Sequence, residues 1–214
     1  MSGFTTNELL YPLTKGDSPG HPFRGNQYQA VGNISPEVAK FITDKANAFY
    51  KAGGTIEHLK PGVTELSNGR SLYAEMERLQ NAPRGAKASD GRDYIASAIY
   101  STLKSEYVVG TFFATDKDGN IVGALDYNKN GHIGMLGSTG DPQGIATALE
   151  VEMARQAVKD GTGVNSEATY DSETFHRSIG RTVTPDPSDL SKSEWTPEET
   201  KAIANLPVGP EHAK

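Results

Sequence analysis

The sequence predicts an α/β (α+β) domain, one mixed sheet centred on an antiparallel meander and flanked by helices. Three observations carry that expectation. The runs "YVVGTFFAT", "NIVGALDY" and "GHIGMLGS" are apolar and β-prone, and the short-turn signals "DKDG" and "NKNG" join them. Stretches with helical spacing of apolar residues precede this meander, and a long one comes after it. The chain has 214 residues, which fits one domain of ordinary size with appendages.

Composition narrows the possibilities. Hydrophobic residues make up 36%, below the usual globular share, so part of the length is expected to be peripheral. Formal net charge is -6 with no basic block, which sets nucleic acid aside as a main ligand. The absence of cysteine removes thiolate nucleophiles, thiolate metal sites and disulfides together. The first residues lack the pattern of a signal peptide and no apolar run approaches the ~18 residues of a membrane span, so a soluble protein with no membrane partner is expected.

In chain order, residues 1–33 read as an extended N-terminal arm without helical or alternating period. Its segment "GHPFRGNQY" carries His21, Phe23, Arg24 and Tyr28, side chains common at interfaces, so the arm either packs back on its own domain or docks to a partner. Residues 34–53 form an accessory helix: Ser35 caps it, Pro36 fits the first turn, and Gly53 and Gly54 stop it. Its mostly apolar stripe of Val38, Phe41, Ile42, Lys45, Ala46 and Phe49 needs a partner surface, and a second copy of the chain is one candidate. "TIEHLK" alternates like a strand, and helices come next around Leu72, Met76 and Leu79 and around Ile95, Ala98 and Ile99.

After the meander, Ile145, Leu149, Met153 and Val158 mark a helix that Gly161 ends. "TGVNSEATY" reads as a strand, and "DSETFHRSIG" as a short helix capped by Asp171. Asp116, Asp118 and Asn120 lack the glycine position and closing Glu of a calcium loop and read as a hairpin turn. From residue 185 to 214 the chain is rich in proline, serine and acids, and is expected to be a polar tail, partly disordered, with a turn or two of helix at "TPEETKAIANL".

The stretch "GSTGDPQGIATALE", residues 137–150, links the last meander strand to the long helix with Gly137, Gly140 and Gly144. A glycine-rich turn before a helix N-terminus aims unpaired N–H groups and the positive dipole end at one point, where an anion can sit. The Lys-Ser/Thr pair of a P-loop is absent. A Rossmann turn belongs to a parallel crossover, whereas this loop comes after antiparallel strands. Asp141 stands beside the loop, where it either repels an anion or caps a helix beginning near Pro142.

The meander, then "DPQGIATALEVEMARQAVKDG", then "TYDSETFHRSIGR" together resemble the GNAT superfamily of N-acetyltransferases. Gly144 and Ala146 match the last two positions of that family's pyrophosphate loop, with Asp141 where Arg or Gln is usual. Phe175 and Gly180 match a later motif, with His176 at its tyrosine position and Arg181 in place of its last aromatic. The resemblance spans residues 54–184. More narrowly, "LGSTG", the glycine-opened helix and "FHRSIGR" look like GNAT-type domains carried by bacteriophages. "GHPFRGNQY" looks like segments of phage-encoded proteins, which implies a phage or host protein as the partner of the arm.

The resemblance implies a GNAT-like acyl-CoA-binding domain over 54–184, with acetyl-CoA as co-substrate and an amine of a protein or small molecule as acceptor. The pyrophosphate would lie on the amides of Gln143, Gly144, Ile145, Ala146 and Thr147, and the pantetheine beside Met135 and Leu136. His176 is the candidate acid, and Glu167 or Asp126 the candidate base. Two functions stay open: an active acetyltransferase, such as a phage effector in the host cytoplasm, and a non-catalytic phage protein of this fold serving in the virion or in assembly.

Overall fold

The computed structural model describes residues 34–82, 91–185 and 190–213. The N-terminal arm lies outside them. The rest forms a mixed α/β fold in which a seven-stranded sheet carries six helices among the described residues. In chain order these are α1 (Pro36–Lys51), β1 (Thr55–Leu59), α2 (Leu72–Asn81), α3 (Arg92–Lys104), β2 (Gly110–Thr115), β3 (Ile121–Tyr127) and β4 (His132–Ser138). They continue with α4 (Ile145–Asp160), β5 (Val164–Ala168), α5 (Tyr170–Ser178), β6 (Thr182–Thr184), β7 (Ser191–Trp195) and α6 (Pro197–Ala204).

The strands lie side by side as β1-β2-β3-β4-β5-β7-β6, and every neighbouring pair is antiparallel except β4 with β5. Strand alternation divides the core in two. Phe112, Leu125 and Tyr127 face α1 and α4, whereas Phe113, Ala124 and Ile121 face α2 and α3. Because helices cover both faces, β2 and β3 are buried at every position and read as continuous apolar runs rather than half-polar strands.

Local chemistry sets the helix ends. In α1 the Ser35 hydroxyl accepts the Val38 N–H at 3.3 Å and Glu37 sits in the first turn. Val38, Ile42, Ala46 and Phe49 are buried in the core that α1 shares with α4, so this face is covered within the chain and is not left for a second copy. At the other side of the sheet α3 comes down onto β4. A Cβ on Gly91 would lie 1.9 Å from the Ser138 carbonyl oxygen, and one on Gly137 2.6 Å from the Gly91 oxygen. Only glycines permit this approach.

Several expectations are corrected. The tail predicted from residue 185 is structured over residues 190–213: β7 pairs with both β5 and β6, and α6 opens with a capping box between Thr196 and Glu199. Ser191, Ser193 and Trp195 point inward while Lys192 and Glu194 point outward, so the inward serines conceal the apolar signal of a strand. Arg155 of α4 fastens the end of α6 and the segment beyond it by donating to the carbonyls of Ala204 at 3.3 Å and Val208 at 2.7 Å.

The cap of α5 is Thr169 rather than Asp171, because the helix begins at Tyr170. Val158, expected on the inner face of α4, is 42% exposed, and Ala157 takes the inner position instead.

Candidate functional site

β4 and β5 pair only at His132 with Asn165 and Ile133 with Ser166. Beyond that point they part, and a cavity of about 400 Å³ opens between them, closed by the first turns of α4 and by α5. A bulge at Gly134 lies at the point of parting, because Asp126 opposes Met135 while Tyr127 opposes Ile133. Asp126 fastens this bulge, its carboxylate accepting the Met135 N–H at 2.8 Å. A Cβ on Gly134 would sit 2.6 Å from the same carboxylate, so the bulge needs a glycine there.

Asp126 is 2% exposed and is not among the residues lining the cavity. Burial raises its proton affinity, and hydrogen bonds from Met135, Ser101 and Gly134 pull it part of the way back. Its chemistry is directed at the backbone of β4 rather than at a substrate. Since the Thr139 N–H donates to the Val122 carbonyl of β3, strand alternation back along β4 turns the backbone groups of Leu136 toward the gap.

At the upper end of the gap, α4 begins at Ile145 with Gly144 in the left-handed conformation as N-cap. No side chain caps the helix, and no acidic residue stands in its first turn. Asp141 therefore does not take the second of its two open roles, that of helix cap. It is exposed, and its backbone carbonyl accepts from the Thr139 hydroxyl at 2.9 Å. The first amides of α4 thus keep the donors and dipole end that favour an anion.

Gly144 has a further reason to be glycine that no local sequence pattern discloses. At φ of +87° its Cβ would lie 1.8 Å from the carbonyl oxygen of Lys45 in α1. Gly144→Ala is expected to cost about 2 kcal/mol, lowering Tm by roughly 4–8 °C in calorimetry, from a strained left-handed residue and a separated α1–α4 contact. An unchanged Tm would mean that α1 does not press on this turn.

Beneath the cavity lies a buried polar cluster. Arg181 and Glu150 form an ion pair, both 1% exposed, and Arg181 also donates to the Ser166 hydroxyl oxygen at 2.8 Å. The guanidinium stands 4.7 Å from the centre of the Trp195 ring, which contributes a cation–π contact. Burial raises the proton affinity of Glu150, and Arg181 opposes that rise.

His176 is 5% exposed and its Nδ1 has no hydrogen-bond partner. Burial first, and the Arg181 charge second, push its pKa down to about 3. At neutral pH the imidazole is therefore uncharged.

The structure brings Met135, Leu136, Ala146, Glu167 and His176 to one cavity. Gln143, Gly144, Ile145 and Thr147 occupy the adjoining loop and first turn of α4, where Gln143 is exposed and the side chains of Ile145 and Thr147 are buried. Two residues escaped the sequence reading as members of the site, Glu150 and Ser166, and the sequence marks Arg181 only as a departure from the last aromatic of the later motif. The one local signal was Glu150, a carboxylate in the midst of the inward stripe of α4.

No protein-family model matches the chain, and no curated protein matches it. Among solved structures the chain is similar to a GCN5-related N-acetyltransferase, with "Aminotransferase, Class-II" also in its description, from Rhodopseudomonas palustris. The two are 16% identical with a TM-score of 0.39, over 65% of this chain and 91% of that one.

Proposed function

We propose that this chain is an acyl-CoA-dependent N-acetyltransferase, with acetyl-CoA as co-substrate and an amine of a protein or small molecule as acceptor. One observation carries the reading: the gap between β4 and β5 runs from an uncapped helix N-terminus to a buried polar floor. The amides of residues 143–147 would hold the pyrophosphate, and the backbone of β4 at Leu136 would pair with the pantetheine. Glu167, exposed on β5 at the cavity, would take a proton from the amine.

His176 would act as a neutral imidazole that steadies the departing thiolate through an N–H, since an imidazolium does not persist at neutral pH with a pKa of about 3. That same low proton affinity favours a second reading, a non-catalytic protein that keeps this fold as a scaffold. The phage setting of either reading rests on the sequence resemblance of "FHRSIGR" and "GHPFRGNQY".

Calorimetric titration with acetyl-CoA separates the two. The enzyme reading expects saturable binding at one site per chain. It also expects Gln143→Glu, an exposed and nearly isosteric change, to weaken binding about three- to tenfold while leaving Tm unaltered, because a carboxylate there opposes a pyrophosphate. No heat at millimolar ligand would move the conclusion to the scaffold.

A further inference from the structure

We propose that the Ser166 hydroxyl, backed by the buried Arg181–Glu150 pair, donates the hydrogen bond that polarises a ligand's carbonyl oxygen in the cavity. This rests on the reading of the cavity as an acyl-CoA site and assigns to it a group that neither the loop nor the α5 motif contains.

Acyl transfer needs a donor fixed where negative charge develops on the carbonyl oxygen. The bulge on β4 offers backbone amides, but the Met135 N–H is committed to Asp126 at 2.8 Å. Of the other hydroxyls at the cavity, which include those of Tyr94 and Ser138, two are occupied: Thr169 donates to Ser172 at 3.2 Å and Ser172 to the Thr169 carbonyl at 3.0 Å, so both hydrogens stay within that turn.

Ser166 differs from these. It lines the cavity, is 5% exposed, and its oxygen accepts from the Arg181 guanidinium at 2.8 Å. An oxygen that accepts from a cation directs its own hydrogen elsewhere and makes it a stronger donor. Ser193 stands opposite Ser166 in the β5–β7 register, yet its hydroxyl oxygen has no partner and so does not take that hydrogen. The open direction is the cavity. The guanidinium cannot swing away, because Glu150 holds one end and the Trp195 ring covers its face.

The test uses acetyl-CoA labelled with ¹³C at the thioester carbonyl, bound to the full chain, with the carbonyl stretch read by difference infrared spectroscopy. In the parent protein the stretch is expected at lower frequency than in water, and Ser166→Ala is expected to lose that downshift while still binding. Should the alanine variant fail to fold, Ser166→Cys keeps the shape with a weak donor and carries the same expected loss. Equal stretches in the bound parent and variant would overturn the assignment of Ser166 and leave the acyl-CoA reading standing. No binding by the parent protein would overturn both.

Discussion

Arg181→Met is expected to destabilise the protein by about 3–5 kcal/mol in urea unfolding at pH 7, because it leaves the Glu150 carboxylate buried without its counter-ion. Both side chains are all but excluded from solvent, so water cannot replace the missing partner. The double variant Glu150→Leu/Arg181→Met removes both charges and is expected to recover most of that loss, as hydrophobic replacements of buried ion pairs commonly do. A cost below about 1 kcal/mol for the single variant would mean that solvent reaches the pair, in the manner of a surface ion pair. The double variant should keep its fold while Ser166 loses the cation behind it. Stability and the polarisation of the cavity would then be separated in one molecule.

The parts of the fold that can be read from the sequence are those whose signals are local. Ser35 and Pro36 announce α1, and "DKDG" and "NKNG" announce the hairpins, since caps and turns act within a few residues. β7 cannot be read in that way. Its inward serines do not resemble a strand, and its pairing with β5 is set by residues far back in the chain. The same division runs through the site. The glycine loop and "FHRSIG" are contiguous motifs, so His176, Ala146 and the neighbouring amides are legible in the sequence.

Ser166, Arg181 and Glu150 come from β5, the segment after α5, and α4; Arg181 is 15 positions from Ser166 and 31 from Glu150. No periodicity links them until the chain folds. Gly144 shows the converse limit. Its place in the loop suggests room for a phosphate as its reason, and the Lys45 carbonyl of α1, invisible to any local reading, supplies another.

Between pH 8 and pH 4.5 the parent protein is expected to lose about 3 kcal/mol more stability than His176→Gln, measured by denaturant unfolding at both pH values. The sign is set by where the proton binds. In the unfolded chain His176 titrates near its ordinary 6.5, whereas in the fold burial and Arg181 hold it at about 3. Between those values the unfolded state takes up a proton that the native state refuses, so this stability is present above pH 6.5 and is lost as pH falls toward 3. Glu150, raised by burial, acts in the opposite direction, but it is present in both proteins and drops out of the difference. The result also decides the chemistry assigned to the residue. If parent and variant lose stability in parallel, His176 is protonated in the fold near its ordinary pKa, and an imidazolium acid returns to the site. If they diverge as expected, a titration limb near 6.5 in any activity profile has to come from another group, and His176 serves the cavity as a neutral imidazole.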